Sequence, residues 1–279
     1  MTEPPSILNL QPAGQRRYVV GRPAVLPEGR DVVFSGQLLA QMIMASDREC
    51  GGAKDVRSVH TVFARTGSYG SPIEMVVDPM QAGRTWASDT VTALQGERLL
   101  ARGLVLLNTL DPDLVRHGPG MPEATAGPES LGPGAGQVFP GGEWRPVPGE
   151  PSDDGVPLQM AWHRYREPLP SRAAHQAVLA WATCGEVIGA ALRPHRDRFS
   201  LADAHRTIST GVIAHTIHFV EPVEVSGWLL VVSEGTHGGN GRIYGSGSVF
   251  TESGDLVAVF HQDSMARALD GRVDSRRTL

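Results

Sequence analysis

Histidine and cysteine side chains offer the most direct chemistry in this chain, and their spacing restricts what that chemistry can be. None of the ten histidines stands at metal-ligand spacing from a neighbouring cysteine, so we expect no zinc site and no cofactor. Cys50 and Cys184 lie far apart and form no Cys-X-X-Cys pair, which favours two reduced thiols. The glycine-rich residues 238–241 precede no helical pattern, so we interpret them as a hairpin loop and not as a phosphate-binding loop.

Residues 34–49 predict the first element that can position a ligand. Apolar residues recur there on one helical face, and Cys50-Gly51-Gly52 is a fitting terminator. Gly36 lacks a Cβ, so a ligand can come close to the backbone where this helix begins. The apolar face is formed by Leu38, Leu39, Met42 and Ile43.

Strand patterns surround this helix and a second one. Alternating or continuous apolar runs that are rich in β-branched residues predict strands on both sides of a Pro/Gly-rich stretch. A second helix is predicted at residues 171–192, ended by Pro194. The predicted strands are 17–25 (an edge strand), 59–64, 73–78, 85–94 and 99–107 in the first half, and 160–166, 211–220, 228–234, 241–251 and 256–262 in the second.

Short motifs of the first half recur in the second half at an offset near 155 to 158 residues. Residues 59–62 (VHTV) resemble residues 214–217 (AHTI), and Gly83-Arg84 matches Gly241-Arg242. Several matches in one order indicate a duplicated unit. We therefore interpret the chain as two helix-plus-sheet units, 1–110 and 158–279, joined by a Pro/Gly-rich linker at 111–157.

Composition limits the partners. Thirty acidic residues against 25 basic ones give no electrostatic basis for binding nucleic acid or an anionic membrane, although a few arginines at a pocket rim would suffice for a small anion. The first ten residues, MTEPPSILNL, lack the pattern of a secretory signal, and no apolar run approaches the roughly 18 residues of a membrane span. We expect a cytoplasmic protein.

Several stretches resemble the acyl-CoA thioesterase II (TesB-like) family in order and spacing. They are FSGQLLAQ, VHTVFARTGSYGSPIEMVVDPMQAGRTWAS, TVTALQGERLLA, HTIHFVEP, WLLVVSEGTHGGNGRIYGSGSVFTESGDLVA and HQDSMAR. The resemblance implies an α+β double hot dog, in which two helices are each wrapped by an antiparallel sheet within one chain. It also implies hydrolysis of fatty acyl-CoA to a free acid and CoA.

The same resemblance implies a site in the second unit, where the family holds its attacking water with an aspartate, a threonine and a glutamine. Thr236, in SEGTHGG, stands at the threonine position, and Gln262, in VFHQDSM, stands at the glutamine position. Ala214 stands where the family has the aspartate, so we expect it to line the substrate site without supplying a carboxylate. Val105 matches Gln262 in the first unit, which predicts one site per chain and not two.

Loss of the aspartate removes the expected base, because neither threonine nor glutamine accepts a proton from water at neutral pH. His215 is adjacent to Ala214 and is expected to point to the opposite face of its strand. His218 shares the face of Ala214 and is therefore the preferred substitute base. Asp203 and His205, in the inserted segment between the second helix and its strands, are the alternatives.

Gly36 and Gln37 are predicted to bind substrate by offering backbone N–H groups to the thioester oxygen at the positive end of the first helix. The alternative role of Gly36 is to allow close packing between helix and sheet. The apolar helices and sheets are expected to supply an acyl tunnel. Arg84 and Arg242 are candidates for CoA phosphates, with solvated surface charge as the simpler interpretation.

The sequence therefore predicts an acyl-CoA thioesterase-like hydrolase whose activity is weak or follows an altered mechanism. A non-catalytic protein that binds acyl-CoA or another acyl-thioester with the same fold is the alternative, and a hot-dog dehydratase is a weaker one. Family resemblance also predicts a homo-oligomer.

Overall fold

The computed structural model describes residues 6–20, 31–134, 141–149, 156–195 and 207–269. Three α-helices lie in these ranges: α1 is Ser35–Glu49, α2 is Arg172–Thr183 and α3 is Glu186–Leu192. The strands are β1 (Gln11–Gly14), β2 (Arg17–Val20), β3 (Asp55–Phe63), β4 (Ile73–Ala82), β5 (Trp86–Gln95), β6 (Arg98–Asn108), β7 (Gly142–Pro146), β8 (Leu158–Tyr165), β9 (Ile208–Phe219), β10 (Leu229–Gly239), β11 (Arg242–Thr251) and β12 (Leu256–Ala268).

Helix α1 confirms the prediction at residues 34–49. Phe34 has extended backbone angles and acts as the N-cap residue, so the helix proper begins at Ser35. Every residue from Gly36 to Ser46 is buried, which is more than the one apolar face that the pattern predicted. The reason is that α1 packs against the sheet on one side and against α2 on another.

The prediction of one helix over residues 171–192 was wrong in its middle. Helix α2 begins with a side-chain cap, because Ser171 Oγ accepts a hydrogen bond from Ala174 N at 3.2 Å. It ends at Thr183, and α3 starts at Glu186. Gly185 between them has a φ of 108°, a left-handed conformation that L-residues with a side chain rarely adopt, and it breaks the helix.

The described strands form one antiparallel sheet in the order β1-β2-β4-β5-β6-β3-β9-β12-β11-β10-β8-β7. Helix α1 covers the strands of the first half, and α3 covers those of the second half, both on the same face. We call this the inner face, and the opposite one the outer face. Ile73, Met75 and Val77 lie on the inner face, as their alternation predicts, and each is at most 2% exposed.

The two halves join through β3 and β9 in a nearly symmetric way. Ser58 pairs with His218 and Val62 pairs with Ala214, so each strand presents equivalent residues to the other. Both strands also carry a bulge, at Arg57 and at Ile213, which are 156 residues apart. This symmetry supports a duplicated unit.

The symmetry also corrects the match between residues 59–62 and 214–217, which is out of register by one. At an offset of 156 residues the equivalent of Val59 in the second half is His215, and the equivalent of His60 is Thr216. A one-residue slip exchanges the faces of a strand. His60 accordingly is exposed on the outer face, whereas His215 is buried on the inner face.

The predicted linker contains packed structure. Strand β7 lies within it and pairs with β8. Two tryptophans hold the segment before β7, one in β8 and one just before β10. Trp162 Nε1 donates to Ala126 O at 3.1 Å, and Trp228 Nε1 donates to Glu129 Oε1 at 2.8 Å. The division into 1–110, 111–157 and 158–279 stays a prediction. Within the described ranges, no helix has both the length and the apolar character that crossing a bilayer requires.

Candidate active site

Two polar residues face each other in the core of the second half. His215 on β9 pairs directly with Gln262 on β12, and each is 1% exposed. Directly opposed residues of an antiparallel pair have their side chains on the same face, so both point toward the helices. The equivalent pair in the first half is Val59 and Val105. One half therefore buries two apolar side chains where the other buries an imidazole and an amide.

Gln262 links its strand to the break in the second helix. Its Oε1 accepts a hydrogen bond from the Gly185 amide at 2.8 Å, and its Nε2 donates to Ser264 Oγ at 2.9 Å. A glutamine amide can donate two hydrogen bonds and accept two. One N–H and one lone pair consequently remain for His215 or for a bound water.

His215 is held as a neutral imidazole. Its ring stacks on Phe260 with centroids 5.7 Å apart, and its Nε2 lies 3.4 Å from Thr183 Oγ1. Burial lowers the pKa of His215 from 6.5 to about 4, although the adjacent Gln262 side chain acts in the opposite direction. The ring is thus uncharged at neutral pH and can accept a proton.

A cleft of about 150 Å³ opens beside this cluster. Gly185 and Val212 form part of its wall, and each is tied to the cluster, Gly185 through Gln262 and Val212 through its pairing with Ser264. The described wall carries no carboxylate. It consists of Val32, Val33, Phe34, Ser35, Leu38, Phe63, Arg65, Thr66, Gly185, Ile188, Thr210, Gly211 and Val212.

The start of α1 reaches the cleft, but through neighbours of the two predicted residues. Ser35 and Leu38 line the wall, whereas Gly36 and Gln37 are buried beside it. A Cβ on Gly36 would lie 2.9 Å from Trp181 O, so this glycine allows two helices, and not helix and sheet, to pack closely. The backbone N–H of Gln37 donates to Phe34 O at 3.0 Å, so it is not free to bind the substrate.

His218 lies on the outer face, away from Gln262. It is half-buried, and its ring meets that of His60 edge to face at 5.1 Å. Partial burial, followed by the neighbouring His60 and His261, lowers the pKa of His218. His218 and Ala214 share the outer face, as the sequence predicts. Gln262, however, points to the inner face, so His218 does not contact it.

Thr236 and Ala214 are also separated from the buried pair. Ala214 pairs with Asp263, one position along β12 from Gln262. Thr236 is exposed and lies in a bulge of β10 opposite Gly245, which in turn pairs with Gln262. Two strand spacings, about 10 Å, therefore separate the backbones of Thr236 and Gln262.

The remaining candidates contribute no described group to the cleft wall. Asp203 and His205 lie outside the described residues. Arg242 forms an ion pair with Asp263, with Nε 3.2 Å from Oδ1. Arg84 is exposed in the turn between β4 and β5.

Sequence reasoning missed His215, Thr183, Gly185 and Ser264 as members of one cluster. One usable signal was Gly185 itself, because an isolated glycine inside a helical pattern often has a packing or functional reason. A second signal is that His215 stands where the first half has Val59. Aligning residues 59–62 with 214–217 conceals this difference, because that alignment is shifted by one residue.

A second buried polar group lies on the other side of the helix break. Gln159 Nε2 donates to Glu186 Oε2 at 2.9 Å, and His163 Nε2 is 3.9 Å from Glu186 Oε1. Burial raises the pKa of Glu186 to about 7 and lowers that of His163 to about 3. His163 is therefore neutral at pH 7, and Glu186 holds its proton to a much higher pH than an exposed glutamate does.

Two family models match the chain. The acyl-CoA thioesterase N-terminal domain matches residues 23–107, and the acyl-CoA thioesterase C-terminal domain matches residues 115–266. Among curated relatives, acyl-CoA thioesterase 2 of Haemophilus influenzae is 24% identical over 261 residues, which cover 84% of this chain and 87% of the relative.

Solved structures agree on the fold. The acyl-CoA thioesterase II TesB2 of Mycobacterium marinum superposes with a TM-score of 0.79 at 24% identity, covering 96% of this chain and 99% of that one. A protein of unknown function with a hot dog fold from Alicyclobacillus acidocaldarius gives a TM-score of 0.76 at 18% identity, covering 95% and 97%. The predicted double hot dog is confirmed.

Proposed function

The chain belongs to the acyl-CoA thioesterase family, and we propose that it hydrolyses the thioester of a fatty acyl-CoA to a free acid and CoA. One observation carries this proposal beyond family membership. A neutral histidine and a glutamine replace a valine pair of the other half, directly behind the wall of a cleft. A polar pair in a core costs free energy, so its presence on one side of a symmetric sheet favours a chemical role.

In the proposed mechanism, Gln262 orients a water molecule and His215 accepts its proton as the water attacks the thioester carbon. Collapse of the tetrahedral intermediate then breaks the C–S bond, and the departing CoA thiolate takes the proton from His215. Gln262 contacts His215 and keeps hydrogen-bonding capacity beyond its bonds to Gly185 and Ser264, which suits the first task. The uncharged imidazole of His215 suits the second, because a general base must be unprotonated before it acts. His215 thereby takes the role of base that the sequence predicts for His218, and Thr236 remains a candidate for a supporting contact to substrate.

The oxyanion that develops on the thioester oxygen is proposed to meet the first turn of α1. The first four N–H groups of a helix lack intrahelical acceptors, and the helix dipole places partial positive charge there. Ser35 lines the cleft, and Gly36 follows it. Since the backbone N–H of Gln37 already donates to Phe34 O, we assign the donors to the oxyanion to the backbone N–H groups of Ser35 and Gly36.

A second candidate function is binding of acyl-CoA without turnover. It is favoured by Ala214 at the family's aspartate position and by the lack of a carboxylate in the described cleft wall. A neutral imidazole with a low pKa is also a weak base, so slow hydrolysis is expected even under the leading proposal.

Release of free thiol from acyl-CoA of several chain lengths tests the two candidates. Wild type should release thiol above the uncatalysed rate, and Gln262→Ala should slow it. Thr236→Ala reports whether this exposed threonine contributes at all. Binding of acyl-CoA without thiol release would support the second candidate, and turnover that Gln262→Ala leaves unchanged would refute the proposed site.

We further propose that the chain forms a homo-oligomer through the outer face of its sheet. Val62, Leu104 and Leu106 lie close together there and are 59%, 48% and 37% exposed. Apolar side chains grouped on one exposed face favour burial against a second copy. Light scattering should give at least twice the monomer mass, and a lower mass for Leu104→Glu. A cytoplasmic location stays part of the proposal.

A further inference from the structure

Arg65 supplies the charge in the described wall of the cleft. It follows β3, and its backbone N–H donates to Leu100 O at 3.1 Å, while the Ala64 N–H donates to the same oxygen at 2.7 Å. These two bonds fix the backbone at this point. The Arg65 side chain is exposed, so it belongs to the mouth of the cleft and not to its interior.

The guanidinium of Arg65 has no hydrogen bond or ion pair within the described ranges, in contrast to many arginines of this chain. Arg17 contacts Glu74 at 2.8 Å and Arg172 contacts Asp55 at 2.9 Å, for example. A guanidinium offers five N–H donors in a planar fork that suits phosphate or carboxylate oxygens. An unpaired one at the mouth of an otherwise mostly apolar cleft is therefore available to an anion.

We propose that Arg65 binds a phosphate group of CoA at the mouth of the cleft, an inference that rests on the proposed function. The thioester must reach the Gly185 side of the cleft, where Gln262 and His215 lie behind the wall. The apolar residues Phe34, Phe63 and Ile188 suit the uncharged part of the substrate. The phosphates of CoA have to stay where they are hydrated and close to a cation, and the exposed Arg65 side chain offers such a position.

A carboxylate on the acyl group is the other source of an anion that a guanidinium would accept. It is the weaker assignment, because CoA carries its phosphates whatever acyl group is attached, whereas a carboxylated acyl group would be needed specifically. The two sources can be separated by probes that contain only one of them.

Isothermal titration of CoA and of pantetheine, which lacks phosphate, tests the proposal without requiring turnover. Arg65→Ala should weaken CoA binding roughly 5- to 30-fold, the range expected for a charge-assisted contact. Pantetheine binding should not change. Arg65→Lys should recover part of the affinity, and higher salt should reduce the difference between the variants.

Arg84→Ala is the matched control, because it removes the same charge from an exposed site near the opposite end of β5 and was itself a candidate for phosphate binding. It should leave CoA affinity unchanged. An equal loss in Arg84→Ala, or no loss in Arg65→Ala, would overturn the assignment. A glutaryl thioester of N-acetylcysteamine carries a carboxylate but no phosphate. If Arg65→Ala raised KM for this substrate alone, Arg65 would bind an acyl carboxylate and the assignment to a CoA phosphate would be overturned.

The outcomes separate this inference from the proposed function. A wild type that hydrolyses acyl-CoA while Arg65→Ala binds CoA normally would refute only the role of Arg65. A wild type that releases no thiol but loses CoA affinity with Arg65→Ala would refute only hydrolysis.

Discussion

Gln262 accepts a hydrogen bond from the backbone N–H of Gly185 at 2.8 Å, and this contact joins the middle of β12 to the break between α2 and α3. The break exists because Gly185 adopts a left-handed backbone conformation. It exposes an amide that a continuous helix would have paired four residues earlier. A buried glutamine therefore satisfies a half-buried donor of a residue that lines the cleft.

Replacement of Gln262 by leucine should destabilise the fold as well as slow hydrolysis. The half-buried Gly185 N–H would lose its acceptor and the buried Ser264 hydroxyl would lose its donor, at a combined cost of about 1–3 kcal/mol. Urea denaturation measures the change in the free energy of unfolding. Gln11→Leu is the control, since the Gln11 side chain is exposed and donates to Asn9 Oδ1 at 2.9 Å, and it should change stability little. Equal stability of the two variants would show that the Gly185 contact contributes nothing.

His215→Asn should lower kcat by roughly 100-fold or more if His215 is the base, because asparagine cannot accept the proton. His218→Asn changes a histidine on the outer face and should leave kcat nearly unchanged. Thermal unfolding of both variants separates a chemical effect from loss of the fold. The opposite pattern, a slow His218→Asn variant and a His215→Asn variant with normal kcat, would indicate that His218 is the base.

The pH dependence of kcat gives an independent test of the same base. The pKa of His215 is about 4, so the imidazole is neutral, and competent, above that pH. The rate should fall as pH decreases through about 4 and should show no limb near 6.5 from this group. A limb near 6.5 that disappears in His218→Asn would indicate that an ordinary, solvated histidine is the base.

Gly36→Ala should destabilise the protein by about 1–3 kcal/mol through overpacking. The new methyl group would meet Trp181 O at 2.9 Å and Cys184 Cβ at 3.1 Å, and neither neighbour is the free end of a flexible side chain. Gly70→Ala is the control, because a Cβ at Gly70 has no neighbour within 4 Å. Thermal unfolding of both variants measures the difference, and a Gly36→Ala protein as stable as Gly70→Ala would refute close helix packing.

Glu186 should make the protein less stable as pH rises. Its folded pKa of about 7 lies above the ordinary 4.5, so the folded state holds a proton that the unfolded state releases between these values. Stability is thus lost from about pH 4.5 through pH 7, by an amount on the order of 3 kcal/mol. Glu186→Gln removes this loss.

The test compares the free energies of unfolding of wild type and Glu186→Gln at pH 5 and pH 8. The variant should gain relative to wild type at the higher pH. Taking this difference removes the opposite contribution of His163 and His215, whose low folded pKa values destabilise the protein as pH falls below 6.5. Glu252→Gln is the control, because Glu252 is exposed. If Glu252→Gln gained as much stability at pH 8 as Glu186→Gln, the role of burial would be refuted.

Local sequence patterns were sufficient for most of the elements. Residues 34–49 repeat with helical period, and Ile73, Met75 and Val77 alternate with strand period, so the side chains of each set share a face whatever lies around them. The second helix was predicted too long, because its apolar stripe continues across Gly185. The pattern cannot show that Gly185 adopts a left-handed conformation, because that conformation depends on a distant acceptor, Gln262, for the Gly185 N–H.

The family and the duplicated fold were thus determined by the sequence, through motifs whose order survives low identity. The site was decided by tertiary structure. Whether Gln262 faces His215 or Ala214 depends on the register between β9 and β12, which includes a bulge at Ile213, and one residue of slip exchanges the two faces. Arg65 and Gly185 come from chain segments about 120 residues apart and meet in one cleft because β3 pairs with β9 and α1 packs against α2. Such contacts are set by hydrogen bonds between distant segments, which no local pattern records.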